Sequence, residues 1–435
     1  MYGWQVAVKI NSLDRKILAL AIPAIIANIT TPLLSLIDIA IVGHLGSASY
    51  VGAVAVGGTL FSMIYWMFSF LRFGTSGQTA QAVGARNERD SSLTLLRSLL
   101  IGLSVSAMLI AFHNTIGRIA LDFMDTDEET RALASKYFSI LIYGSPAVLA
   151  QYALTGWFVG CQNTRTPMWI SLVINITNII ASLVLVFGFR MKIEGVAYGT
   201  LIAQWAGTTC AFIAAKPRMQ PIKEILLPAE LKRFFSINTD IFLRTLCLIA
   251  VSVWFTRSGA SQGAEILAVN SMLLQLFILF SYFMDGFAFA AEALCGKIKG
   301  EGNNSELKRC IRRLLRWGFA MALVFTVIYA TGGETFLRLL TDDYSIINAS
   351  EPYRLWATAI PLTGFLAFTA DGIVIGLTRT KLMLSAMAVA TLAYFVLWFW
   401  LNPMLGNHAL WIAFLTYLLL RGVLMTAFLK PGNRM

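Results

Sequence analysis

The chain has 435 residues, of which 57% are hydrophobic and only 13% charged, with a mean hydropathy of +0.70. A soluble domain carries roughly 25% charged residues because its surface must face water. This composition therefore excludes a soluble globular protein and points to lipid as the solvent, while the net charge of +11 has to be judged by where the charges lie.

One membrane crossing needs about 20 mostly apolar residues. By that measure the sequence predicts an all-α polytopic membrane protein with twelve transmembrane helices. They fall near 17–42, 50–71, 93–112, 137–160, 168–189, 195–215, 238–256, 266–291, 317–332, 353–376, 382–401 and 408–429. Gly332, Gly333 and Glu334 cut the ninth short. With both termini cytoplasmic, 23 of the 34 Lys and Arg residues fall on the cytoplasmic side and 8 outside. That is the positive-inside distribution, so the basic excess sets topology and no nucleic-acid partner is expected. The start of the chain, with Asp14 just before the first span, does not read as a cleavable signal peptide.

The first predicted helix is the most informative. Asn28, Thr31, Ser35 and Asp38 are spaced 3, 4 and 3, which places them on one face. Pro23 and Pro32 each remove a backbone donor and favour a bend. A carboxylate within a span is costly and marks a functional position, although Asp38 could instead cap a helix near the outer surface. The fifth helix carries Asn175, Asn178 and Ser182 on one face, either as interhelical glue or as partners for Asp38. In the second half, Asp285 and Glu292 share a face of the eighth helix, and Asp371 lies in the tenth. Glu292 falls near the cytoplasmic end, where water can solvate it. Asp240 and Arg244 stand at i, i+4, the spacing of an ion pair. Arg244 reads as the one clear base inside the membrane. The aromatic run from Tyr394 to Trp400 reads as lipid-facing or interfacial.

The two halves share a pattern. Thr164-Arg165-Thr166 matches Thr378-Arg379-Thr380 at an offset of 214 residues, and Gln81–Gly84 stands opposite Lys297–Gly300 at 216. This predicts an N-terminal six-helix lobe over 1–215, a basic cytoplasmic connector over 216–236 and a C-terminal six-helix lobe over 237–435. Two parallel lobes around a cleft are a common plan for secondary transporters. No Walker A, GxSxG or HExxH motif is present, so no enzyme chemistry is expected. Five scattered cysteines and three separated histidines suggest neither disulfides nor a metal site. No cofactor is expected, and energy must come from an ion gradient, with a proton or a sodium ion as coupling ion.

The segment Ile22–Gly46, with Gly77-Gln-Thr-Ala-Gln-Ala-Val-Gly-Ala-Arg86, Met284-Asp-Gly-Phe-Ala288 and Leu405-Gly-Asn-His-Ala-Leu-Trp411, strongly resembles the multidrug and toxic compound extrusion (MATE) family, more narrowly its DinF branch. The resemblance covers nearly the whole chain. It implies two pseudo-symmetric lobes and an antiporter that exports amphipathic, often cationic drugs from a bacterial inner membrane, working as a monomer. It maps a coupling acid onto Asp38, helix bending onto Pro23, and cavity positions onto Asn175, Asn178 and Tyr137. A second acid that many relatives carry on the fifth helix is Ser182 here. That leaves one titratable group in the first lobe, or shifts part of the coupling to Asp285 and Asp371. A sodium-coupled exporter using those second-lobe acids and a lipid-linked glycan flippase are the alternatives. A flippase would be expected to line its cleft with Arg and Lys.

Overall fold

The computed structural model describes residues 12–429 except positions 46, 123, 125, 126 and 342. The side chains of Thr31, Leu33, Leu34, Ser35, Glu334 and Leu339 lie outside the described ones. All regular structure among the described residues is helical.

The long helices in chain order, leaving aside the short helices His113–Asp122 and Ile222–Ile225, are α1 (Ser12–Gly43), α2 (Ala48–Gly84), α3 (Glu88–Ala111), α4 (Glu128–Gly160), α5 (Arg165–Gly188) and α6 (Lys192–Ala215). There follow α7 (Pro228–Ser261), α8 (Ala264–Gly300), α9 (Asn304–Leu340), α10 (Tyr344–Gly376), α11 (Thr380–Leu405) and α12 (Asn407–Ala427). Ten of them pass the length and apolarity needed to cross a membrane, and α1 and α6 complete the twelve. The ninth helix differs from expectation: it runs through Gly332 and Gly333 to Leu340. Two adjacent glycines weaken a helix, but packing of buried Leu337 continues it.

Helix starts follow from local chemistry. Asn87 caps α3 by accepting from the Asp90 amide at 3.0 Å, and Asn303 caps α9 by accepting from the Glu306 amide at 3.0 Å. Asp127 and Asp343 accept from the Thr130 and Ser345 amides at 2.9 and 2.8 Å. These caps satisfy otherwise orphaned donors and hold both carboxyls below the usual carboxylate range. The two cap asparagines are 216 residues apart. So are the left-handed residues before them, Arg86 and Gly302, and a second left-handed pair, Gln162 and Thr378. The structural repeat therefore runs at 216. The Thr-Arg-Thr match at 214 is displaced by two residues from the backbone equivalence.

The two six-helix lobes pack into separate cores. One gathers Val54, Phe61, Phe138 and Leu149, the other Phe255, Phe280, Trp411 and Tyr417. A third joins them, with Ile17 and Leu20 of α1 against Phe287, Leu294 and Ile375. Tyr394 belongs to the second core, edge-on to Tyr417, and only Phe399 and Trp400 of its aromatic run stand well exposed. The alternation along α11 separates a core face from a lipid face.

The lobes meet backbone to backbone at one end. A Cβ on Gly84 would fall on the Lys297 carbonyl, one on Gly300 on the Gln81 carbonyl, and one on Gly77 on the Ile375 carbonyl. The segments recognised as repeat partners, Gln81–Gly84 and Lys297–Gly300, thus touch each other. Gln81 donates to the Gly376 carbonyl at 2.9 Å, and Gln162 donates to the Ala293 carbonyl at 2.6 Å, both across the seam. This closed end carries the basic turns. Gly84→Leu is expected to hold it open. The readout is alkylation of a thiol introduced as Ala80→Cys, a buried position against Gly296. It should react several-fold faster in the Gly84→Leu background, and an unchanged rate would show that the seam tolerates the added side chain.

Candidate functional site

Asp38 lies buried on α1 at the wall of a cavity of about 470 Å³. α2 supplies the opposite wall with Gly58, Thr59, Ser62, Met63 and Trp66, and α4 contributes Tyr137. The mixture of one carboxylate, small hydroxyls and flexible or aromatic apolar groups suits an amphipathic guest. Tyr137 packs its ring on Gly57, where any Cβ would collide with it.

One Asp38 oxygen accepts from the Thr200 hydroxyl at 3.3 Å; the other is buried without a partner. Asn178 donates to the same Thr200 hydroxyl at 2.8 Å. Asn178 therefore reaches Asp38 through Thr200 of α6. Thr200 follows Gly199, whose missing side chain leaves room for buried Ser182. Ser182 faces that packing surface and does not line the cavity. Asn175 turns to α1 and donates to the Thr30 carbonyl at 3.0 Å, while Thr30 and Ser171 share a hydroxyl contact of 3.1 Å. These bonds tie α5 to α1 between Pro23 and Pro32, which both lie inside one continuous helix. The structure thus brings Asp38, Asn178 and Tyr137 around Thr200. It gives Asn175 and Ser182 contacts to neighbouring helices.

A second polar cluster lies deeper, at the contact between lobes. Asp240 does not pair with Arg244. Its carboxylate accepts from Thr380 at 2.7 Å, and Arg244 pairs instead with Asp371. Arg421 of α12 pairs with the same Asp371 oxygen at 3.1 Å. Arg72 of α2 reaches across to Glu292 of α8 at 3.2 Å, and Ser76 donates to the other Glu292 oxygen at 2.5 Å. Glu292 is fully buried rather than solvated. The Arg72 guanidinium is held between the Phe73 and Phe289 rings, 4.0 and 3.9 Å from their centroids. Asp285 is half-buried and within electrostatic reach of Arg72 and Arg244. Three buried arginines lie in this cluster where one was expected, each with carboxylates.

Sequence reasoning missed Thr200 and the Arg72–Glu292 pair. The one signal for Thr200 was its place beside Gly195 and Gly199 on α6. Nothing in the sequence marks Glu292 as the partner of a residue 220 positions away. Among the described residues no metal-ligating cluster occurs.

Twelve helices in two lobes, a cavity with a buried acid on its wall and a charge-balanced seam have the build of a polytopic membrane transporter. The MatE family model matches residues 23–184 and 240–400, once in each half, and the chain belongs to the MATE family. It is 37% identical to the DNA damage-inducible protein F of Escherichia coli (strain K12), over 96% of this chain and 92% of that protein. It is 21% identical to a probable multidrug resistance protein NorM of Thermotoga maritima, over 79% of this chain and 75% of that one. A crystal structure of a MATE protein in the bent conformation superposes with a TM-score of 0.85, covering 96% of this chain and 95% of that chain at 17% identity.

Two expectations concern these clusters. Thr200→Val removes a donor to Asp38 and an acceptor for Asn178, and leaving buried polar groups unmet costs about 1–3 kcal/mol. Melting of the detergent-purified protein should fall accordingly, with Thr200→Ser close to wild type. For the seam pair, Arg72→Met or Glu292→Gln alone strands a buried charge at a cost of about 3–5 kcal/mol. The double variant Arg72→Met/Glu292→Leu should be more stable than either single one, which a thermal melt of all four proteins checks.

Proposed function

We propose that the chain is a secondary active antiporter that exports amphipathic, often cationic drugs or other xenobiotics in exchange for protons. The observation that carries this reading is the Asp38 carboxylate. It is buried on the cavity wall, with one oxygen held by Thr200 and the other free of any partner. A carboxylate so placed can hold either a proton or the cationic group of a guest, and not both. Competition for one site is what exchange requires.

The coupling runs through α1 in this reading. Protonation removes the charge that Thr200 and Asn178 stabilise and loosens the grip on that end of the helix. Pro23 and Pro32 leave backbone carbonyls without their usual donors, so the helix bends there at low cost. The likeness to the NorM protein, whose name describes it as a probable multidrug resistance protein, supports the choice of substrate class. The positive-inside distribution supports both termini on the cytoplasmic side of a bacterial inner membrane. A monomer is sufficient, since cavity and coupling acid lie within one chain.

The sodium reading would rest on the second-lobe acids. These are Asp285 and Asp371: Asp371 already has two guanidiniums on one oxygen, and Asp285 lies within electrostatic reach of Arg72 and Arg244. A hard cation wants several free anionic or carbonyl oxygens, and these carboxylates offer few. The flippase reading asks for an uncompensated basic cleft, whereas the buried arginines here lie with acids.

The test is uptake of a fluorescent cationic drug into inside-out vesicles with proton and sodium gradients imposed separately. Accumulation should follow an acidic lumen, collapse with an uncoupler, and vanish in Asp38→Asn at unchanged expression. Pro23→Ala should slow transport while leaving drug binding intact. Uptake driven only by luminal sodium would overturn the proton reading, and undiminished uptake by Asp38→Asn would remove that residue from the mechanism.

A further inference from the structure

The closed end of the molecule carries a second feature that the transport cycle does not use. Between the start of α1 and the start of α9 lies a cavity of about 470 Å³, whose cations are Lys16, Arg309 and Arg312. A neighbouring cavity of about 440 Å³ shares Lys16 and adds Arg165 and Lys297. Glu306 borders both and Glu301 the second, so five cations face two acids. Glu306 is engaged with Asn303, through its amide at 3.0 Å and its carboxylate at 3.3 Å. Asp14, the nearby acid on α1, is taken up by Arg313 and Trp317 of α9. The space is therefore built for negative charge.

The exposed face of α9 says what kind of anion. Arg309, Arg312 and Arg316 are exposed and spaced 3 and 4 apart, and the same stripe continues as Phe319, Leu323 and Val327, all exposed. Residues at these spacings lie one above the other on a helix. A single helical face thus passes from three guanidiniums beside a basic cavity to an apolar track long enough for an acyl chain. Ala19 on α1 and Leu20 beneath it, with buried Leu294 and Ile298, give the second cavity an apolar floor. Free inorganic phosphate would use the cations and leave the track unused. Basic pockets between transmembrane helices on the cytoplasmic side are suited to anionic headgroups.

We propose that this cleft is a binding site for an anionic glycerophospholipid. Its phosphate sits among Lys16, Arg309 and Arg312, and an acyl chain lies along Phe319 and Leu323. The site joins α1 of the first lobe to α9 of the second, so an occupying lipid clasps the closed seam from the side.

The experiment is native mass spectrometry of the purified full chain, offered phosphatidylglycerol and phosphatidylcholine with identical acyl chains. Wild type should retain phosphatidylglycerol preferentially. Lys16→Gln/Arg309→Gln/Arg312→Gln should lower that preference by about tenfold or more, since each cation near a charged headgroup contributes appreciably. Lys16→Arg/Arg309→Lys/Arg312→Lys should keep it. So should Arg89→Gln/Arg218→Gln, which removes the same kind of exposed charge from residues that line neither cavity, where Arg89 and Arg218 pair with Glu224 and Glu88. If the triple variant is not monodisperse, Arg309→Gln/Arg312→Gln is read in its place. Equal retention of the two lipids by wild type overturns the proposal, as does an equal loss in the Arg89/Arg218 control. Displacement of phosphatidylglycerol by millimolar inorganic phosphate would reassign the cleft to free phosphate and overturn the lipid.

Discussion

Backbone contact without side chains is the constraint on which the arrangement rests. Gly77, Gly84 and Gly300 let α2, α8 and α10 approach until carbonyls occupy the space of a Cβ. In lipid the hydrophobic effect gives helices no reason to associate, so close packing of small residues and interhelical hydrogen bonds must hold them. The glycine seam supplies the first, and Gln81 and Gln162 supply the second with bonds to carbonyls across it. A tight seam at one end leaves room for a cavity beyond it.

Polar groups in this core are handled in two ways. Around the seam every buried guanidinium lies with carboxylates, as the cost of an uncompensated charge demands. Around Asp38 the support is thin: one hydroxyl, itself engaged by Asn178, and one carboxylate oxygen with nothing. The contrast separates groups that hold the lobes together from a group left able to change partners. The Thr200 hydroxyl links Asp38 to Asn178 of α5.

The twelve helices were legible because lipid imposes a long apolar run on each, and the two lobes because the chain repeats its turn chemistry. Asp38 and Asn178 stood out as polar groups in apolar runs, and Tyr137 came only from the family resemblance. What could not be read was pairing. The i, i+4 rule joined Asp240 to Arg244, but that rule weighs only neighbours on one helix. Here Arg244 finds Asp371, 127 residues away, and Asp240 finds Thr380 at the head of α11. Thr200 escaped notice because a lone threonine is unremarkable in an apolar helix until the fold sets it between two partners. Ser182 shared a face with Asn178 in the sequence, yet the close approach of α6 at Gly199 turns that position into packing.

The balance of three arginines against Asp285, Glu292 and Asp371 has an electrical consequence. A charge carried through the membrane potential does work of about 2.3 kcal/mol per 100 mV. With all six groups ionised the seam cluster is neutral, so rocking the lobes about it moves no net charge through the field. The voltage dependence of a cycle would then fall to what sits on Asp38. If a proton and a monovalent cation alternate there, the loaded cavity has the same net charge in both directions of travel. The membrane potential would neither speed nor oppose the exchange, and the pH difference alone would set how far it runs.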